Sequence, residues 1–123
     1  MPLVGTKFVV SDNSGAKQVQ CIRLVNKMNT LSIGSIIYVS IKKIRSGKYK
    51  EKITKGSLHL AILVELKKKQ HRLDGNSFSS SRNAVVLINE SFQPIGTRIL
   101  GLVPYELRKK NCLKLLSLGT HTL

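Results

Sequence analysis

Leu58, Leu60, Ile62, Val64 and Leu66 occupy every second position of one run, set against Ser57, His59, Ala61, Leu63, Glu65 and Lys67. Period two is the geometry of a strand, in which successive side chains point to opposite faces; a helix scatters such a row around its axis. Ile37, Val39 and Ile41 alternate in the same way with Tyr38, Ser40 and Lys42, and Val19 and Cys21 alternate with Gln18 and Gln20. Regular alternation marks a sheet with one packed face and one wet face. It predicts that the Leu58–Leu66 row packs inward and that His59 sits on the outer surface. Two shorter runs, 7–10 and 83–89, are apolar and rich in β-branched residues.

Turn chemistry separates these runs. Ser11-Asp12-Asn13-Ser14-Gly15 and Asp74-Gly75-Asn76 combine side chains that hydrogen-bond their own backbone with a glycine that accepts positive φ. Residues 26–30 read as a loop, and 45–56 as a basic, glycine-bounded excursion. Five short strands in succession leave too many open edges, and a small closed five-stranded β-barrel removes them. The fold class expected is therefore mainly β. After residue 100 the texture changes. Pro104 suits a first helical turn, Glu106 the positive end of a helix dipole, and Arg108, Lys109 and Lys110 its negative end. Cys112, Leu113, Leu115 and Leu116 suit a second short helix. A length of 123 residues fits one domain, 1–123, with a barrel over about 1–100 and a helical region over about 101–123.

Charge then limits the function. Lys and Arg number 21 against 6 Asp and Glu, for a formal net charge of +15. Such an excess repels itself in a compact domain and is accommodated beside a polyanion. The cations are spread along the chain rather than gathered in a tail, which points to a charged folded surface. A membrane surface fits poorly: no apolar run approaches the roughly 18–20 residues of a spanning helix, and no long basic amphipathic helix is expected. The opening residues 1–7 read as neither a secretion signal nor a transit peptide. Nucleic acid is the better polyanion. With no Trp and only three Phe and three Tyr, the chain lacks the paired aromatics of single-strand readers. It also lacks a helix-turn-helix or basic zipper for a DNA groove. Folded RNA, recognised by shape and phosphate, remains.

Catalysis is not expected. No acid stands beside another acid or a histidine at useful spacing; Asp12 and Asp74 belong to turns, and Glu51 and Glu65 balance lysines. Ser79-Ser80-Ser81 lacks a histidine partner and an elbow pattern, and Gly47-Lys48 lacks the first glycine of a phosphate loop. His59, His71, His121, Cys21 and Cys112 show no metal-ligand spacing. The two cysteines read as buried thiols. No catalytic residue, metal or cofactor is anticipated.

Specific wording narrows this further. Asp12-Asn13-Ser14-Gly15-Ala16-Lys17, followed by Val19 and Cys21-Ile22, resembles the N-terminal signature of the large-subunit ribosomal protein fourteen family. Ala61-Ile62-Leu63-Val64, Asp74-Gly75, Asn83 and Val86-Leu87 are similar to its central signature. Gln93-Pro94-Ile95-Gly96-Thr97-Arg98-Ile99, Gly101 and Glu106-Leu107-Arg108 resemble its C-terminal signature, and Lys114-Leu115-Leu116-Ser117-Leu118 its closing segment. The wording departs from the family pattern at Ser80, at 26–31, at 45–55 and at 119–123, which suits a mitochondrial copy better than a bacterial or plastid one.

The resemblance implies a five-stranded barrel with a β-ribbon projection and two short C-terminal helices. It implies binding to large-subunit rRNA and contact with neighbouring large-subunit proteins, numbers three and nineteen. It also implies intersubunit bridges to small-subunit rRNA, and docking of a ribosome-silencing factor. The RNA-facing residues expected are Asn13, Lys17, Lys42, Lys43, Arg45, Lys48, Lys50, Lys52, Arg82, Asn83 and Arg98. Arg108, Lys109 and Lys110 are the candidates for the subunit interface. The competing readings are a free-standing RNA-binding barrel, such as a translation factor or RNA chaperone, and a polybasic membrane-surface protein.

Overall fold

A computed structural model describes residues 4–25, 32–44, 53–104, 107 and 113–122. Five strands form a closed barrel: β1 (Lys7–Val10), β2 (Ala16–Leu24), β3 (Ile36–Ile44), β4 (Leu58–Glu65) and β7 (Ala84–Ile88). They follow the three alternating and two apolar runs expected from the sequence. Neighbours pair antiparallel around the barrel except at the closure, where β1 lies parallel to β7 through Val9–Ala84 and Val10–Val85. Between β4 and β7 stands a short hairpin, β5 (Gln70–His71) with β6 (Ser77–Phe78). The chain ends in a β-α-β unit: β8 (Ile99–Val103), α1 (Leu113–Leu118) and β9 (Gly119–Thr122), with β8 and β9 parallel.

Cross-strand partners share a face, so the register identifies the lumen. Phe8 opposes Val19, Val19 opposes Ile41, and Cys21 opposes Val39, all fully buried. Carried onto β4, the same face holds His59, opposite Val39, and Ala61, opposite Ile37; on β7 it holds Val85 and Leu87. The expected orientation of β4 is therefore inverted. The face that looked polar lines the lumen, and Leu58, Leu60, Ile62 and Val64 point outward. A five-stranded lumen is narrow and is filled by side chains of mixed size, which is why small Ala61 sits inside. His59, half-buried near one mouth, shares a 3.1 Å hydrogen bond between Nε2 and Ser57 Oγ.

The outward leucine row does not all meet water. Leu58 is exposed, yet Ile62 and Val64 are buried, as are Val86 and Ile88 of the neighbouring strand. β8 packs on β4 at this side, and α1 packs on β8 and β9. Val103, Leu107 and Leu115 thereby join the same apolar cluster as Ile62 and Val86. The C-terminal unit is thus a cap on a doubly apolar pair of strands. A parallel pair needs a crossover of a dozen residues or more, commonly helical, and the segment between β8 and β9 supplies it. Of the two C-terminal helices expected, α1 is present. The other falls on residues of which only Pro104 and Leu107 are described; there the Leu107 amide donates to the Pro104 carbonyl at 3.3 Å. The basic excursion expected over 45–56 likewise lies largely outside the described residues.

Candidate nucleic-acid interface

Strand directions sort the loops by barrel end. β1, β3 and β7 run one way, β2 and β4 the other. The turn at 11–15, the end of β3 and the start of β4 therefore share one end. The end of β4, residues 66–69 and the start of β7 share the opposite end.

At the first end, the β2–β3 ladder is irregular. Ala16 pairs with Ile44 and Gln18 with Lys43, which leaves Lys17 as an extra residue on β2; Val19 then pairs with Ile41, which leaves Lys42 extra on β3. A bulge residue leaves the ladder and is re-aimed, and bulges give the sharp bend a small barrel requires. Lys17, Lys42 and Lys43 are all exposed. Three ammonium groups thus project from one bulged corner. The chain then leaves Ile44 toward Arg45, Lys48, Lys50 and Lys52, which lie outside the described residues.

Beside this corner, the 11–15 turn is locked to the loop before β8. Asp12, 1% exposed, accepts from Ser14 N–H (3.1 Å) and Ser14 Oγ–H (2.6 Å) through Oδ1, and from Leu87 N–H (3.2 Å) through Oδ2. Asn13 Oδ1 accepts from the Thr97 amide (2.8 Å) and the Arg98 amide (3.1 Å), and its Nδ2 donates to Thr97 Oγ1 (2.9 Å). The Asn13 amide N–H donates in turn to the Arg98 carbonyl (3.2 Å). A Cβ at Gly96 would lie 2.7 Å from Asn13 Oδ1, so the loop can approach only with glycine there. Asn13 braces this corner, and Arg98 is held with its side chain exposed.

At the other end, Glu65 is buried and fastens β8 to the barrel. Its Oε2 receives Arg82 Nε–H at 2.7 Å and its Oε1 receives the Leu102 amide at 3.2 Å. Arg82 Nη2 also reaches the Leu100 carbonyl at 3.4 Å. A Cβ at Gly101 would sit 2.9 Å from both the Arg82 guanidinium and Glu65, so the pair closes over a bare backbone. Asn83 Oδ1 accepts from the Lys67 amide at 2.9 Å. Arg82 and Asn83 are therefore engaged in holding the fold at this end. Lys67, Lys68 and Lys69 are exposed next to them.

The expected residues thus divide. Lys17, Lys42, Lys43 and Arg98 are exposed cations at one end, with Asn13 bracing them; Arg82 and Asn83 belong to the other end. Arg45, Lys48, Lys50, Lys52, Arg108, Lys109 and Lys110 lie outside the described residues. Lys67, Lys68 and Lys69, three consecutive lysines after a strand, form a further exposed basic cluster outside the RNA-facing residues expected. The bulges also leave a trace in the sequence, since Lys42-Lys43 interrupts the alternation of β3.

Among the described residues, no group of three His, Cys, Asp or Glu could hold a metal ion, and no helix is long and apolar enough to cross a membrane. Cys21 is a free, buried thiol whose pKa is raised by burial. A cleft of about 310 Å³ between the 93–97 loop and α1 is lined by Gln93, Pro94, Thr97, Lys114, Ser117 and Leu118, with no acid–base pair. The model of the ribosomal protein L14p/L23e family matches residues 1–123. The chain belongs to that family. It is accordingly a structural protein of the large ribosomal subunit and not an enzyme. Its L14p/L23e membership places it on the ribosome, with rRNA and ribosomal proteins as its general partners.

Proposed function

We propose that this L14p/L23e protein binds large-subunit rRNA through the bulged corner of its barrel, where Lys17, Lys42 and Lys43 lie beside Arg98. The observation that carries this reading is the pair of opposed bulges, which release two lysines from the β2–β3 ladder at one place. Phosphate contacts fix position and register, while the braced Asn13–Thr97 loop supplies the rigid footing such contacts need. Arg45, Lys48, Lys50 and Lys52 add further RNA contacts in this reading, and Arg108, Lys109 and Lys110 serve the intersubunit side. Residues 1–123 act as one domain. Ribosomal proteins three and nineteen, small-subunit rRNA at bridges and a silencing factor complete the partners. The departures at 26–31, 45–55 and Ser80 favour a mitochondrial ribosome.

Sucrose-gradient sedimentation of the tagged protein from fractionated cells tests this. Co-migration with the mitochondrial large subunit supports the reading. A protein found free or with small subunits overturns it, and co-migration with a plastid or bacterial subunit corrects the compartment alone. Binding to a large-subunit rRNA fragment should weaken steeply with salt, and Lys17→Gln with Lys42→Gln should lower the slope of log K against log salt by about 0.7–0.9 per lost phosphate contact.

A further inference from the structure

Leu73 is 99% exposed. A single exposed leucine is ordinary on a protein surface, but this one stands at the apex of a stitched hairpin with Arg72 beside it and Lys67, Lys68 and Lys69 at its base. The Arg72 carbonyl accepts from the Gly75 amide at 3.1 Å, and the Arg72 amide donates to the Asn76 carbonyl at 2.8 Å. With Gly75 at φ 92°, this is the three-residue hairpin loop in which a tight turn is followed by a left-handed glycine, and Leu73 is the first residue of that loop. Both carboxylate oxygens of Asp74 accept from Asn76, at 3.0 and 3.1 Å. Below the loop, Gln70 pairs with Phe78 and His71 with Ser77, and the Arg72 guanidinium lies 4.6 Å from the Phe78 ring centroid. At the base the legs are stitched by Ser80 N–H to the Leu66 carbonyl (2.9 Å) and Lys67 N–H to Asn83 Oδ1 (2.9 Å). The tip is thus pre-organised, so little ordering entropy opposes its insertion into a partner.

The charge along the hairpin selects the partner. Between residues 67 and 78 there are Lys67, Lys68, Lys69 and Arg72 against one acid, Asp74. An apolar wedge set among cations fits RNA, whose unstacked bases at a bulge or loop offer apolar faces between phosphates. We infer that the β5–β6 hairpin is a second RNA contact, at the barrel end opposite Lys17 and Lys42, in which Leu73 packs against an unstacked base while Lys67, Lys68 and Lys69 hold the flanking phosphates. This inference rests on the rRNA-binding reading above and adds a separate site to it.

Leu73→p-benzoylphenylalanine in the full chain, incorporated into large subunits and irradiated, gives the direct test, with Lys43→p-benzoylphenylalanine alongside. A crosslink from position 73 to rRNA is expected. A crosslink from 73 only to protein, or none, while position 43 crosslinks rRNA, overturns this inference and leaves the earlier one standing. Failure of both positions to reach RNA overturns both. In binding to the rRNA segment crosslinked from 73, Leu73→Ser should raise Kd about five- to tenfold with the salt slope unchanged. Lys68→Gln with Lys69→Gln should instead flatten that slope. An unchanged Kd for Leu73→Ser would sink the wedge, and because Leu73 touches no core, its unfolding midpoint provides the check that the variant is folded.

Discussion

Asp12 Oδ1 accepts the amide of Ser14 at 3.1 Å, and Asp74 Oδ1 accepts the amide of Asn76 at 3.0 Å. The two turns share a local chemistry and a left-handed glycine, Gly15 in one and Gly75 in the other. Their surroundings differ completely. Asp12 is buried and its second oxygen reaches the adjacent strand β7 at Leu87, so the turn joins β1, β2, β7 and the loop before β8. Asp74 is exposed and bonds only within its own turn, and the hairpin carries an exposed leucine outward. One turn consumes its polar groups to hold a corner still; the other uses them to stiffen something presented to a partner. Local wording specifies a turn, and what lies across from it decides the job.

The comparison is open to experiment, beginning with the largest effect. Asp12→Ala removes the acceptor of three bonds and leaves buried donors unpaired, and urea denaturation should show a loss of about 3–4 kcal/mol. Asp74→Ala should cost under about 1 kcal/mol, and equal losses at the two sites would break the contrast. Gly96→Ala pushes a methyl toward Asn13 Oδ1 and should destabilise by about 1–2 kcal/mol; pairing it with Asn13→Ala should relieve most of the added loss, because the clashing atom is gone. Gly75→Ala meets open space, so its cost of about 1 kcal/mol comes from positive φ alone and should not be relieved by trimming any neighbour. The smallest effect concerns His59, whose pKa is lowered by burial. Its neutral form is favoured in the fold, so its contribution is complete above the unfolded histidine pKa and is lost as pH falls below that value toward the folded one. A His59→Gln variant should therefore show a flatter loss of stability on mild acidification. An identical pH profile would remove the imidazole from the account of that end.

Much of the barrel was legible because alternation survives in β2 and β3, where one face is wet: Val19 and Cys21 against Gln18 and Gln20, Ile37 and Val39 against Tyr38 and Ser40. In β4 the signal misled. Both faces of that strand are apolar because a later segment covers the outside, and period two cannot say which of two apolar rows faces in. The β8–β9 pair was illegible for a related reason. Parallel partners such as Ile99 and Gly119, joined through a long crossover, leave no hairpin signature, and Gly119-Thr120-His121-Thr122 lacks the apolar alternation that marked the barrel strands. At the candidate interface, basic residues were readable as basic, but not which ones the fold would occupy. Asn13, Asn83 and Arg82 looked like free polar groups and are engaged by backbone amides or by Glu65. Lys17 and Lys42, expected to face RNA, carried no sign that they would be the extra members of two bulges.

The parallel closure of β1 on β7 also bears on how the molecule is made. Ser11 bonds the carbonyl of Val85, 74 positions later, so the first strand emerges long before the strand that completes the cylinder. At about 5–20 residues per second, synthesis leaves β1 without that neighbour for roughly 4–15 seconds. Through that interval β1 to β4 can assemble only as an open meander with two unpaired edges, the state in which β-sheets recruit one another. Closure over so long a loop is also slow once the chain is complete. The nascent protein is thus most exposed to misassociation just before its last barrel strand appears, and its own positive charge keeps copies apart during that time.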